Sequence, residues 1–250
     1  MLKLKEKTPA SMDRFEEAHF HLHAMEQYYH FADEFRWSLG GFLRSLKEVP
    51  QLIAMELQNE PGFSEWYRGE REVLRNDPLL HFLAKHRDFI VHRGMLLPNS
   101  SGAVGITKGN GIKFGLVQSI DPQQNSDTAM RRYLWAVKNV GEDICGVLPD
   151  DDGSEDENTL PCVERVWRLE PFKEDVLELS AKAWLRLGEA ICAVALRIGC
   201  EEPRLSLSCL HPSQKVQLKL YSRRTLKEWY DRLPNPENKE TANTAARADC

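Results

Sequence analysis

Hydrophobic residues in the first hundred positions recur at steps of three and four, which is the period of an α-helix. The clearest stripe runs from Phe31 to Leu57 and includes Phe35, Leu39, Phe42, Leu46, Val49 and Ile53. Pro50 lies within this stripe and has no backbone N–H to donate, so a kink or break is expected near Val49. An earlier helix, rich in histidine, is predicted over about Asp13–Tyr29.

Two further helices are predicted from their end signals and their stripes. Asp77 is a good N-cap, Pro78 suits the first helical position, and Gly94 is a natural stop, so a helix is predicted between them. A second long helix is predicted over about Phe172–Ile198, with apolar residues at Val176, Leu179, Ala183, Leu187, Ile191 and Val194.

The pattern changes to that of strands in two regions. Two β-prone runs within 102–120 flank Gly109-Asn110-Gly111, which predicts a hairpin. Residues 131–140 could form another strand. Residues 204–209 and 215–221 alternate in polarity and predict a second hairpin, followed by a short helix over about Arg224–Leu233.

The fold class that follows is mainly α (α+β): a helical bundle with a β-rich insertion and a C-terminal β-hairpin. We expect residues 1–98 to form the first part of the bundle and residues 99–168 to form the insertion. Residues 169–233 would supply the long helix, the hairpin and the short helix. Residues 149–157 hold six acids and predict a solvated loop, and the polar segment 234–250 is expected to be disordered.

Composition narrows the class of protein without naming a function. The chain has 250 residues, 42% of them hydrophobic and 28% charged, with a net charge of −5. These values are ordinary for a globular protein and exclude a collagen, a disulfide scaffold and a uniform polycation. The longest apolar stretch, 181–200, contains four charged residues, so no membrane span or membrane partner is predicted. The six cysteines form no C-x-x-C pair, and we expect reduced thiols in a cytoplasmic protein with no cofactor.

One segment of the helix after Pro78 contains residues suited to phosphate chemistry. Arg87 and His92 are separated by four residues, and Asp88 follows the arginine directly. A guanidinium grips phosphate oxygens as a fork, and an imidazole transfers protons near neutral pH. The two residues lie about 140° apart on a helix, so Arg87 falls in the apolar arc and His92 in the polar arc. That polar arc also contains His81, Lys85 and Asp88.

Structural roles explain the same residues equally simply. Arg87 could pair with an acid of a neighbouring helix, for which the candidates are Glu34, Glu48 and Glu56. His92 and Arg93 could stabilise the C-terminal end of the helix, where positive charge is favoured. Asp88, four residues before His92, could hold the imidazole ring.

The R-x4-H spacing with an acidic residue after the arginine resembles the HEPN superfamily (higher eukaryotes and prokaryotes nucleotide-binding). The resemblance implies a helical homodimer that acts as a metal-independent endoribonuclease, cleaving RNA by attack of the ribose 2′-hydroxyl. It implies that Arg87 and His92 are catalytic and that Asp88, His81, Lys85 and Arg93 support them. It also implies a toxin or defence effector with an antitoxin or other protein partner. The alternative is a related module that binds RNA, a nucleotide or a protein without catalysis.

Two other groups of residues are candidate sites. The segment 204–232 is basic and includes Trp229 and Tyr230, so it could contact RNA or could be a solvated face that balances the acidic loop. Its candidate RNA-binding residues are Lys215, Lys219, Arg223, Arg224 and Lys227. His19, His21, His23 and His30 suggest a metal, but a metal site needs three or four converging ligands. Surface histidines on a helix are the simpler interpretation, and no metal is predicted.

Overall fold

The chain is mainly α, of the α+β class, as predicted. The computed structural model describes residues 3–108, 111–149, 159–205 and 214–235. Within these ranges the helices are α1 (Leu4–Lys7), α2 (Pro9–Gln27), α3 (Ala32–Glu56), α4 (Phe63–Asn76), α5 (Pro78–Arg93), α6 (Ser126–Val140), α7 (Val176–Arg197) and α8 (Arg223–Asp231). The strands are β1 (Asn99–Lys108), β2 (Gly111–Ser119), β3 (Pro161–Arg168) and β4 (Leu218–Leu220), in the sheet order β2-β1-β3-β4. None of the helices in the described ranges is long and apolar enough to cross a bilayer.

The described residues form two compact units. The helical unit consists of residues 1–99 and 167–213 and contains α1 to α5 and α7. The sheet unit consists of residues 100–166 and 214–250 and contains α6, α8 and most of the sheet. Of these spans, most of the acidic loop, residues 206–213 and the tail from residue 236 lie outside the described residues.

The core of the helical unit is built on the predicted stripe of α3. Apart from Phe31, every residue of that stripe is buried. The expected break at Pro50 is wrong, because α3 continues through the proline to Glu56. Gly41 faces α2 so closely that a Cβ atom there would lie 2.4 Å from the His21 ring. The absence of a side chain at this position therefore lets α2 and α3 approach each other.

A buried carboxylate joins three parts of the helical unit. Asp175 caps α7 by accepting from the backbone N–H of Leu177 at 2.8 Å. It also accepts from the backbone N–H of Trp167 at 2.9 Å and from the hydroxyl of Tyr29. The Trp167 indole N–H donates to the Tyr29 carbonyl at 2.9 Å, and its ring stacks on Phe35 with centroids 4.6 Å apart. Burial raises the pKa of Asp175 above its usual value.

The predicted first hairpin is confirmed in the sheet unit. Strands β1 and β2 are antiparallel, with Gly105 opposite Gly115, and residues 109–110 between them lie outside the described residues. A Cβ atom at Gly105 would lie 2.0 Å from the Phe114 carbonyl oxygen, so only glycine fits this approach of two backbones. The core of the unit includes Val104, Met130, Leu134, Val163 and Leu226.

Two elements of the sheet unit differ from expectation. Residues 131–140 belong to helix α6, because Met130, Leu134 and Val137 are buried at helical spacing; the strand suggested for them is wrong. In the predicted second hairpin, β4 forms within 215–221 and pairs with β3, where Cys162 faces Leu220. The first predicted strand, 204–209, lies outside the described residues from 206 onward, so the hairpin itself stays a prediction. The short final helix is confirmed as α8.

Buried arginines connect loops to the sheet in this unit. The Arg165 side chain is fully buried and donates to the Ser100 hydroxyl at 2.9 Å and to the Gln124 carbonyl at 2.7 Å. Arg223 is 7% exposed and donates to the Thr159 carbonyl at 2.8 Å. Both guanidinium groups satisfy backbone oxygens that would otherwise lack a donor in the interior.

We expect Gly69→Ala to stabilise the protein. Gly69 lies inside α4, is exposed, and would place a new Cβ atom in open space. Alanine is preferred over glycine within a helix by about 0.5–1 kcal/mol, and urea unfolding should show a gain of that size. Gly105→Ala is the contrasting variant, because its Cβ would meet backbone, and it should lower stability. An unchanged or lower unfolding midpoint for Gly69→Ala would contradict this account of α4.

The raised pKa of Asp175 predicts a pH-dependent contribution to stability. The native protein holds this proton more tightly than the unfolded chain, whose carboxyl titrates near 3.8. The protonated Asp175 carboxyl contributes its full stabilisation below the pKa of the unfolded chain. This stabilisation decreases as the pH rises through the pKa of the native protein. The loss of unfolding free energy caused by Asp175→Asn should therefore be larger at pH 4 than at pH 7.

Tyr29→Phe provides a matched test of the same carboxylate. The Tyr29 hydroxyl lowers the pKa of Asp175, although burial outweighs it. Removing the hydroxyl should raise that pKa further and extend the fall in stability to higher pH. Urea unfolding of the three proteins between pH 4 and pH 8 measures both effects. A pH-independent difference between wild type and Asp175→Asn would show that the carboxyl titrates normally.

Candidate functional site

Helix α5 forms as predicted and places Arg87 beside a carboxylate. Asp77 caps the helix by accepting from the backbone N–H groups of Leu79 and Leu80, each at 2.9 Å. Arg87 is half-buried, and its Nη1 lies 3.3 Å from Oδ1 of Asp88. The same oxygen accepts from Lys47 of α3, and this hydrogen bond is the main lowering influence on the pKa of Asp88. The partner of Arg87 is thus its sequence neighbour, and not Glu34, Glu48 or Glu56.

His92 lies apart from this contact, in the exposed last turn of α5. In the part of the chain that the structure describes, its ring has no hydrogen bond or ion pair. Asp88 is engaged by Lys47 and Arg87, so it does not hold the His92 ring as suggested from their spacing. Lys85 and Arg93 are also exposed, and His81 faces a cavity described below.

The candidate RNA-binding residues of the sheet unit are mostly matched by local partners. Lys219 pairs with Asp127 at 2.6 Å, Lys227 with Asp231 at 3.2 Å, and Arg224 with Glu228 at 3.6 Å. Arg223 is buried and bound to backbone carbonyls, so it supports the fold and does not present charge to solvent. Lys215 lies in the short 3-10 turn Gln214–Gln217, and its side chain is outside the described residues.

A cavity of about 260 Å³ lies between α3, α4, α5 and α7, and we call it the leucine cavity. Its apolar lining includes Leu43, Leu46, Leu74, Leu80, Leu83 and Leu187. Its polar lining consists of Lys47, Gln51, Arg71, Arg75 and His81. Among the described residues that line it, none has a carboxylate. The leucine cavity therefore combines an apolar surface with side chains that favour negative charge.

A second cavity of about 390 Å³, the polar cavity, shares Arg71 and Arg75 with the first. Its lining also includes Ser64, Arg68 and Glu72. Residues 68, 71 and 75 are spaced by three and four, so the three arginines share one side of α4. No hydrogen bond or ion pair of their side chains is found within the described ranges. Arg71 and Arg75 thus contribute positive charge to both cavities.

Tyr67 connects the two helices that carry these residues. Its hydroxyl donates to the Pro50 carbonyl at 3.2 Å. Pro50 lines the leucine cavity, and Tyr67 lines the polar cavity. Burial raises the pKa of Tyr67, so the hydroxyl stays neutral and keeps its proton for this bond. The bond fixes α4 against α3 and so holds the arginines in place.

Helix α4 was not predicted from the sequence, and so the arginines of this site were not predicted either. Its segment has six charged residues and a central glycine, which obscure the apolar pattern. The available signal was the spacing of Arg68, Arg71 and Arg75, which matches the helical period and places them together. His81 was predicted, but as a supporting residue of the Arg87–His92 pair.

The comparisons with known proteins point to a different family from the one suggested by the motif. A family model for bacteriophage lambda protein ea47 matches residues 5–108, which is less than half of the chain. This range contains α2 to α5 and therefore both the R-x4-H segment and almost all of the leucine cavity. No curated protein and no solved structure matches the chain.

The resemblance to the HEPN superfamily is wrong, since the family match over these residues is to ea47. The physical reason is that an arginine and a histidine at fixed spacing near a helix end also arise for local reasons. Arg87 has a local carboxylate partner, and His92 lies where a helix end favours positive charge. That resemblance was the reason to expect a homodimer, a toxin or defence effector, and an antitoxin partner. Without it, these expectations have no support from a family.

Proposed function

We propose that the helical unit is a non-catalytic binding module for a nucleotide. The observation that supports this best is the leucine cavity, in which an apolar lining is combined with cationic side chains and no described carboxylate. The base and sugar would occupy this cavity, and the phosphate would lie at Arg71 and Arg75, toward the polar cavity.

The leucine side chains suit the flat, weakly polar faces of a base. Covering apolar surface contributes roughly 25 cal/mol per Å² removed from water. Gln51 offers an amide donor and acceptor, and His81 offers a ring nitrogen, so both could bind the polar edge of a base. A few such directional groups in an apolar lining are typical of small-molecule sites.

Arg71 and Arg75 suit a phosphate better than Lys47 does, although all three line the leucine cavity. Lys47 already binds Asp88, whereas Arg71 and Arg75 have no ion pair within the described ranges. An arginine fork can bind two phosphate oxygens at once.

Isothermal titration calorimetry with AMP tests this proposal. AMP should bind more tightly than adenosine or inorganic phosphate, because only AMP uses both parts of the site. Hydrogen bonds to charged groups are worth about 1.5–3 kcal/mol, so replacing both arginines (Arg71→Gln with Arg75→Gln) should weaken AMP binding at least about tenfold. Adenosine binding should change much less.

Arg44→Gln is the matched control, because Arg44 is an exposed arginine of α3 that lines neither cavity. It should leave AMP binding unchanged. Equal losses in the control and the double variant would indicate only a general charge effect. Binding of dodecanoate without binding of AMP would identify an aliphatic-acid site and overturn the nucleotide proposal.

RNA cleavage by Arg87 and His92 is a second, separate proposal. It is favoured by His92, whose ring is exposed and has no hydrogen bond or ion pair in the described part of the chain. In this reaction the ribose 2′-oxygen would bond to phosphorus as the 5′-oxygen leaves. His92 would take the proton of the 2′-hydroxyl, the 5′-oxygen would take a proton from solvent, and Arg87 would stabilise the charge on the phosphate. The contact of Arg87 with Asp88 opposes it, because that carboxylate partly neutralises the guanidinium.

Incubation of mixed RNA with the purified protein in EDTA tests cleavage directly. Fragments from the wild type that both Arg87→Ala and His92→Ala abolish would support the proposal. Arg44→Ala, which removes an exposed arginine of α3 outside this segment, should cleave normally. Intact RNA after incubation with the wild-type protein would exclude this activity and leave the binding proposal untouched.

We also propose a cytoplasmic setting, on the evidence of the cysteines. Cys145, Cys162, Cys192 and Cys200 are free thiols, and only Cys192 is not fully buried. Burial raises the pKa of Cys162 to about 12, which keeps it protonated and unreactive. Unpaired cysteines are typical of reducing compartments.

A further inference from the structure

We propose that His19 and His23 of α2 form a binding site for one divalent transition-metal ion. The two residues are one helical turn apart, and their Nε2 atoms lie 3.1 Å from each other. The ring centroids are 4.5 Å apart. The site is separate from the leucine cavity and from the Arg87–His92 segment, neither of which includes these residues.

The distance between the two nitrogens matches that of two ligands on one metal. Zinc–imidazole bonds are about 2.0–2.1 Å long, so ligands at 90° to 109° lie about 2.9–3.4 Å apart. The observed 3.1 Å falls within this range. A metal ion could therefore bind both nitrogens in place of the hydrogen bond between the rings.

Glu26 prepares His23 for this role. Its Oε2 lies 2.8 Å from Nδ1 of His23, and a carboxylate favours the proton on that nitrogen. The lone pair is then on Nε2, which faces His19. A carboxylate that accepts from the far nitrogen of a metal-binding histidine is the usual second partner in such sites, because it fixes the tautomer and increases ligand basicity.

Trp184 restrains the other ring. The His19 imidazole stacks on the indole with centroids 4.4 Å apart and an angle of 18° between the planes. Trp184 itself stacks on Phe15 with centroids 4.7 Å apart. A ring held in this way loses less rotational freedom when it binds an ion, which favours binding.

Water molecules would occupy the remaining coordination positions of the ion. Within the described residues no group of three histidines, cysteines or acids is placed to hold an ion. His21 lies in a different direction, against Gly41 and 3.8 Å from Glu17. Two imidazoles suit Cu²⁺, Ni²⁺ and Zn²⁺, and the general order of stability places Cu²⁺ first. For binding, Nε2 of His19 must give up any proton that it carries, so that its lone pair faces the ion.

Titration of the full-length, untagged protein with Cu²⁺ tests the site. Calorimetry should give one ion per chain, with weaker binding of Zn²⁺ and Ni²⁺. His19→Gln and His23→Gln should each weaken Cu²⁺ binding about tenfold or more, a loss of the size seen when metal-site residues are replaced. His92→Gln, which removes an exposed histidine from α5, is the matched control and should bind Cu²⁺ as the wild type does.

Tryptophan fluorescence provides a second measurement that locates the ion. Bound Cu²⁺ should quench Trp184 because His19 stacks on it. Trp184→Phe keeps an aromatic ring beside His19, so it should retain calorimetric binding but lose most of the quenching. Unchanged Cu²⁺ binding in both histidine variants would overturn the proposal, as would quenching that persists in Trp184→Phe. Far-UV circular dichroism confirms that the variants are folded.

Discussion

The Asp175 carboxylate is the contact on which the arrangement of the helical unit depends. It accepts hydrogen bonds from the end of β3 at Trp167, from the start of α7 at Leu177 and from Tyr29, which follows α2. A buried charge is unfavourable unless its oxygens are satisfied, and here three donors satisfy them. Tyr29 lies 146 residues from Asp175 in the chain, so its hydrogen bond forms only when the segment after α2 is packed against the start of α7.

The position of α7 affects both the leucine cavity and the pair formed by His19 and His23. Arg186 of α7 pairs with Asp77 at 2.6 Å, and Asp77 is also the cap of α5. Leu187, the next residue, lines the leucine cavity, and Trp184 supports the His19 ring. One helix thus connects the buried carboxylate to the start of α5, to the cavity and to the histidine pair.

Helices α5 and α4 differ in whether their arginines have a carboxylate partner. Arg87 of α5 has the sequence context of a catalytic residue, yet its guanidinium contacts Asp88. Arg71 and Arg75 of α4 have no recognisable motif, yet they line two cavities without a carboxylate partner in the described residues. Function in this unit is therefore better inferred from which charges lack a partner than from the spacing of residue types.

The sequence by itself determined the helices with strong end signals and long stripes. Asp77, Pro78 and Gly94 specify α5, and the stripe from Phe35 to Leu57 specifies α3, because local hydrogen bonds and apolar periodicity act within one segment. Only the tertiary structure decided that the apolar side of 131–140 packs on a sheet made by distant strands. It also decided that β4 pairs with β3, that Asp88 binds Lys47, and that the α4 arginines meet the leucines of α3. Each of these contacts joins residues far apart in the chain, and no local pattern specifies which distant partner a side chain will reach.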